Sequence, residues 1–210
     1  MIISNSMDLL LSSDSPNYRD FVFEVTDILA TQNITRTVLL PKTGIYHIIA
    51  VGGGGNGGVG SLGKGGGAVR SGGGGGGGSG SYFNGQIGLT RGTLTISFNR
   101  DCSMLIGETL FLTVGGGNNG TNAPYNGTGS GGAGGVIKFI NPSFSVYETK
   151  NGLSGTGGTF GLNWVIGQGG AGGASQYEGW GAGQNGGPGT HSGVPGKPGN
   201  PYFKIAYIGY

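Results

Sequence analysis

Residues 52–80 read GGGGNGGVGSLGKGGGAVRSGGGGGGGSG, and 19 of these 29 positions are glycine. A segment without side chains carries almost no apolar surface, so it cannot fold around a conventional core. Glycine also loses more backbone entropy on ordering than any other residue. The stretch is therefore either a flexible linker or glycine held by something other than side-chain packing. Its flanks decide between the two. The strand-like run Ile45-Tyr46-His47-Ile48-Ile49-Ala50-Val51 enters it directly, and Tyr82-Phe83 follows it.

The same junction recurs downstream. Thr109-Leu110-Phe111-Leu112-Thr113-Val114 runs into Gly115-Gly116-Gly117, and a third glycine-rich tract, 167–200, ends just before Tyr202-Phe203-Lys204-Ile205-Ala206-Tyr207-Ile208. Further β-rich runs are Phe21–Val25, Ile34–Leu40, Thr93–Phe98, Val136–Ile140 and Phe144–Tyr147. Their alternation and the turn residues between them, such as Pro41-Lys42-Thr43-Gly44, predict short antiparallel strands. A linker joins two folded units, whereas these tracts leave and re-enter one set of strands. Ordered glycine follows. Its physical form is the polyglycine II helix, with about three residues per turn and outward-pointing N–H and C=O groups. Close packing of such helices leaves a period of three. Gly169-Gly170-Ala171-Gly172-Gly173-Ala174, Gly131-Gly132-Ala133-Gly134-Gly135 and the Gly-X-Pro triplets of 193–201 show that period. The expected fold is all-β: a small antiparallel, jelly-roll-like β-sandwich over 20–210, interleaved with polyglycine II segments and preceded by an arm, 1–19.

Composition excludes several functions. The chain has 210 residues, 54 of them glycine, with 10% charged residues and a formal net charge of +2. Hydrophobic residues at 35% separate it from disordered chains. The weak, dispersed charge gives no footprint for nucleic acid. One cysteine, Cys102, excludes an internal disulfide framework. MIISNSMDLLLSS lacks the basic and apolar regions of a secretory signal, and no apolar run reaches the ~20 residues of a membrane span. Synthesis in a host cytoplasm, with no membrane insertion, is expected. The sequons at Asn33, Asn119 and Asn126 then read as chance matches.

Two catalytic readings fail on residue types. Gly58–Gly65 satisfies G-x-x-x-x-G-K, but Gly65 stands where a P-loop places Ser or Thr for Mg²⁺, and Gly65-Gly66-Gly67 cannot start the helix that would meet a phosphate. The two histidines, His47 and His191, and Cys102 form no metal-ligand or acid–base spacing. No enzyme activity, cofactor or metal is expected.

The run Val38–Gly55, then Gly107-Glu108-Thr109-Leu110-Phe111-Leu112-Thr113-Val114-Gly115-Gly116-Gly117, then Gly131–Gly135 before a strand, resembles the glycine-rich domain of phage tail-fibre and adhesin proteins. It is similar in layout to the glycine-rich domain of the anaplastic lymphoma kinase family, which differs in its many cysteines and its signal peptide. The resemblance spans roughly residues 34–190. It implies a β-sandwich supporting a polyglycine II bundle, in a virion protein whose distal loops contact a host surface glycan or protein. Partners would be other virion proteins in a homo- or hetero-oligomeric assembly, with the arm as an attachment peptide. The alternative in the same setting is a minor capsid or decoration protein. Aromatics on a braced scaffold suit recognition, so the candidate contacts are Tyr125, Tyr177, Trp180 and His191. Trp164, inside the apolar run Leu162–Ile166, reads instead as a cap on the bundle.

Overall fold

A computed structural model describes residues 21–65, 68–125, 127–140, 144–162, 165–189 and 199–209. The arm, Trp164, His191 and most of the Gly-X-Pro triplets lie outside these residues. Among the described residues the fold is all-β. The strands are β1 (Val22–Val25), β2 (Ile34–Leu40), β3 (Gly44–Val51), β4 (Ser61–Gly65), β5 (Ala68–Gly72), β6 (Tyr82–Leu89), β7 (Gly92–Asn99), β8 (Asp101–Ile106), β9 (Thr109–Val114), β10 (Ile137–Ile140), β11 (Phe144–Lys150), β12 (Phe160–Gly161) and β13 (Tyr202–Gly209). Two antiparallel sheets, β1-β13-β3-β6-β11 and β10-β9-β8-β7-β2, make the sandwich. The small sheet β12-β5-β4 lies apart.

Alternation builds the core. Tyr46, Ile48 and Ala50 of β3 point inward with Phe83, Phe203 and Ile205, and meet Leu94, Ile96, Phe98, Met104 and Leu112 of the facing sheet. All of these are fully buried. The one buried hydroxyl among them is satisfied, since Tyr46 Oη donates to the Lys42 carbonyl at 2.6 Å. β4, β5 and β8, and most of β6, escape the sequence reading. Gly85 and Gly88 hide the length of β6, β8 has a single small polar residue between Cys102 and Met104, and β4–β5 lies inside the glycine block. Gly85 is required by close approach, because an added Cβ would meet the Phe83 ring and the Tyr147 Cβ.

The glycine block is not one element. Residues 52–60 leave the sandwich from β3, β4 and β5 form a hairpin at the far end, and 72–81 return to β6. This returning segment is the axis of the bundle. Its N–H groups donate in strict rotation to three neighbours: Gly73 to Thr159, Gly74 to Gly187, Gly75 to Thr121, then Gly76 to Thr156, Gly77 to Gln184, Gly78 to Asn118, and so on to Ser79, Gly80 and Ser81. Its carbonyls accept in the same rotation from three others: Gly129, Gly170 and Gly58, then Gly132, Gly173 and Gly55. A repeat of three residues with outward hydrogen bonds is the signature of polyglycine II. The central segment is thus enclosed by 52–60, 115–123, 129–135, 152–159, 167–173 and 181–189.

The six outer segments also bond to one another around a closed ring. Gly117 donates to Gly53, Asn118 to Ala133, Gly155 to Gly132, Thr156 to Ala171, Gly183 to Gly173, and Gln184 to Gly55. The geometry explains the two kinds of glycine pattern in the sequence. The central segment has neighbours on every side, so 72–78 is uninterrupted glycine. An outer segment faces solvent once per turn, so one residue in three can carry a side chain. Ser130, Ala133 and Val136 are exposed in one such segment, and Gln168, Ala171 and Ala174 in another.

Outward N–H groups that find no backbone carbonyl are taken by side chains on the same three-residue spacing. Asn119 Oδ1 accepts from the Asn56 N–H at 2.9 Å and Asn122 Oδ1 from the Val59 N–H at 2.8 Å. Thr156 Oγ1 and Asn185 Oδ1 do the same for Ala171 and Gly172. Asn122→Ala exposes one such donor to water rather than burying it, so the loss should be small, about 0.5–1 kcal/mol. Thermal denaturation of the variant should show a melting temperature lower by only ~1–4 °C.

Candidate functional site

The bundle has two ends with different surfaces. Each outer segment of about nine residues extends ~28 Å at the rise of this helix, which separates the turns at the far end from the sandwich. Among the described residues the far end is built by the β4–β5 hairpin, the turn that begins at Pro124, and residues 160–162 and 165–167. Ser71, 2% exposed, ties them together. Its Oγ accepts from the Gly167 N–H at 2.7 Å and donates to the Val165 carbonyl at 3.3 Å. Ser61 Oγ donates to the Pro124 carbonyl at 2.8 Å, and β12 pairs with β5 through Phe160↔Gly72 and Gly161↔Ser71.

On this frame stand large apolar side chains in water. Tyr125 is 64% exposed, Val165 66%, Leu162 49%, Ile166 45% and Phe160 40%. Scattered exposed hydrophobics are ordinary, but a cluster at one end of a molecule marks a contact surface. Of the residues singled out from the sequence, Tyr125 lies here. His191 falls in the segment 190–198, outside the described residues. Phe160, Leu162, Val165 and Ile166 were not singled out as contacts. The available signal was that Leu162–Ile166 is an apolar run placed between two glycine tracts, where a turn of the bundle must fall.

Tyr177 and Trp180 are at the opposite end. They flank a tight turn in which Glu178 and Gly179 have φ of 47° and 86°, and they bridge as an antiparallel pair. Positive φ at both central residues is the type I′ hairpin geometry. Tyr177 stacks on Tyr82 with ring centroids 5.3 Å apart, and Trp180 lies 5.2 Å from Tyr202. With Val51 they form a second, small apolar cluster on the outer face of the first sheet. Ser175 Oγ fixes the turn by donating to the Trp180 carbonyl at 2.7 Å. Burial, and then the Glu24 carboxylate to which its hydroxyl donates, push the Tyr202 phenol above its ordinary value. The structure therefore does not bring Tyr177 and Trp180 together with Tyr125. The two cover the junction of bundle and sandwich, as the sequence reading assigned to Trp164.

The junction has a second fastening. Arg100, in the β7–β8 turn with φ 77°, accepts the Gly53 N–H on its carbonyl at 2.6 Å and donates from Nη1 to the Gly117 carbonyl. Asp101 Oδ1 accepts from the Gly116 N–H at 2.8 Å, and its other oxygen pairs with Lys138. These residues line an open groove of about 420 Å³ with Thr31, Asn33 and Asn118. The Arg100 and Asp101 charges are engaged in holding the first turn of the segment that begins at Gly115, while the Arg100 carbonyl holds Gly53 of the other.

The matches to catalytic patterns resolve structurally. Gly58–Gly65 is the end of one glycine segment followed by β4, so Lys64 sits in a strand and no helix N-terminus is present to meet a phosphate. Cys102 is fully buried, and burial followed by the Asp101 charge pushes its thiol well above the ordinary value, which removes its thiolate at neutral pH. Among the described residues no group of three His, Cys, Asp or Glu side chains could hold a metal ion.

No protein-family model matches the chain, and no curated protein matches it.

Proposed function

We propose that the protein is a non-enzymatic virion component, a tail-fibre or adhesin subunit whose distal loops contact a host surface. One observation carries this reading. Tyr125, Phe160, Leu162, Val165 and Ile166 are exposed together at the end of the glycine bundle remote from the sandwich. Apolar side chains held in water by a hydrogen-bonded frame gain free energy when a partner covers them. The bundle sets them at a distance from the sandwich; in this reading residues 1–19 attach the protein to other virion proteins in a larger assembly.

Purified protein should adsorb to cells within a panel of bacterial strains. Val165→Asp/Ile166→Asp, which replaces two exposed side chains, should reduce adsorption at least ~10-fold with little change in melting temperature. Failure of the parent protein to adsorb to any strain, with loss of particle stability when it is deleted, would instead favour the decoration reading. That second reading has its own support in the edge strand β11, where Val146 and Tyr147 are 65% and 53% exposed.

A further inference from the structure

We infer that the groove at the junction of sandwich and bundle binds a neutral oligosaccharide. The inference goes beyond the adhesin reading and does not rest on it, because this groove lies at the root of the bundle and not at its tip. Four stretches converge on it: the loop 30–33 between β1 and β2, the β7–β8 turn at Asn99–Asp101, and the glycine segments at 116–118 and 134–136. Its volume of about 420 Å³ is that of a small-ligand site. The hydrogen-bonding groups in it are mostly carboxamides. Gln32, Asn33, Asn99 and Asn118 line it with the Thr31 hydroxyl, and all five residues are exposed. The backbone that carries them is fixed. The Gln32 N–H donates to the Leu29 carbonyl at 2.9 Å while Gln32 Oε1 accepts from the Leu29 N–H at 2.8 Å. The Asn118 N–H donates to the Ala133 carbonyl, and the Asn118 carbonyl accepts from the Gly78 N–H.

The chemistry of the ligand follows from which groups are free. Farther along the same glycine segment, Asn119 and Asn122 commit their Oδ1 atoms to backbone N–H groups. The carboxamides of Asn33, Asn99 and Asn118 hold no such bond among the described residues. A carboxamide sets an acceptor and a donor side by side, which matches two adjacent hydroxyls of a sugar ring. The charges, by contrast, are already engaged. Asp101 accepts from the Gly116 N–H and pairs with Lys138, and Arg100 donates to the Gly117 carbonyl. An anionic ligand would have to compete with Asp101, and a cation would meet one carboxylate that is already paired. A peptide is recognised through pockets for its side chains, and the apolar side chains lining this groove are Ala30, 4% exposed, and Val136. A polyhydroxylated, uncharged ligand fits what remains.

The test is a nuclear magnetic resonance titration of the full-length protein with neutral trisaccharides of glucose, galactose, mannose and N-acetylglucosamine. At least one should bind and shift the side-chain amide signals of Asn33, Asn99 and Asn118. Binding should be insensitive to salt, since no ion pair forms. Asn99→Ala/Asn118→Ala should weaken it roughly tenfold, whereas Gln86→Ala, on the outer face of β6, should leave it unchanged. Circular dichroism should show both variants folded. If the double variant fails to fold, the position of the shifts in the parent protein still decides. No binding of any of the four sugars, shifts confined to residues outside the groove, or tighter binding of trigalacturonate that weakens as salt is raised would overturn the inference. Binding of casein-derived peptides at these residues without binding of any saccharide would do so too. Cell adsorption is read separately through the tip variant Val165→Asp/Ile166→Asp, so failure of the sugar titration leaves the adhesin reading standing, and failure of adsorption leaves the groove.

Discussion

Gly74→Val is expected to destabilise the protein by on the order of 5 kcal/mol, a drop of roughly 10–20 °C in melting temperature. Gly74 sits in the middle of the central glycine segment. A Cβ built there would lie under 3.0 Å from the backbone of Gly58, with no flexible side chain able to yield. The valine must push one outer segment away. Displacing the segment that holds Gly58 breaks the Gly58 N–H bond to the Gly75 carbonyl, and it strains the Gly187 N–H bond to the Gly58 carbonyl beside it. Each buried donor or acceptor left without a partner is worth about 1–3 kcal/mol, to which overpacking adds about the same. Ala171→Val is the matched control. Ala171 lies on an outer segment with its side chain in solvent, so its replacement should change the melting temperature by no more than ~2 °C. An unchanged melting temperature for Gly74→Val would mean that 72–78 does not pack as described.

Phe83→Ala is expected to be the next most damaging change, by about 3–5 kcal/mol. Phe83 is fully buried, with the Phe144 ring edge-on at 4.7 Å and Tyr147 stacked at 6.3 Å. It is also the second residue of the strand that receives the central glycine segment. Every glycine segment begins or ends at a strand of the sandwich or at the Tyr177–Trp180 turn packed on it. Sandwich and bundle should therefore melt together. Tryptophan fluorescence and far-ultraviolet circular dichroism should report one transition, shifted down by roughly 6–20 °C in the variant. Two separated transitions would show that the bundle stands without the sandwich.

Much of this arrangement is legible in the sequence because its two parts use different periods. The alternation in Ile45–Val51 and Thr93–Phe98 marks strands, and the Gly-Gly-Ala repeat of 169–174 marks a packed outer segment. The place of 52–80 is harder to read. Seven consecutive glycines at 72–78 carry no period, so nothing in them says that they form the axis. Only the hydrogen-bond partners, spread over more than a hundred positions of the chain from Gly55 to Gly187, reveal it. The hairpin Ser61–Gly72 is hidden for the same reason, since its glycines dilute the strand signal of Leu62, Val69 and Arg70.

The candidate site was less legible. Tyr125 is exposed at the far end, whereas Tyr177 and Trp180, read with it as contacts, pack on Tyr82 and Tyr202 at the sandwich. A glycine-rich polar context, Ser175–Gly181, suggests an exposed loop. The number of bundle crossings decides which end such a loop occupies. An odd number places it at the tip and an even number at the sandwich, and counting crossings requires knowing that 52–60 and 72–81 are two segments rather than one.

The central claim is that glycines 73–78 are ordered by backbone hydrogen bonds to six surrounding segments. Amide hydrogen exchange at these residues tests it most directly. Each N–H is bonded to a carbonyl of another segment and shielded from water, so the six amides should exchange only on global unfolding, with protection matching that of Ile48 or Leu112 in the sandwich core. Exchange at the rate of an unstructured glycine peptide would contradict the account and make the stretch a linker.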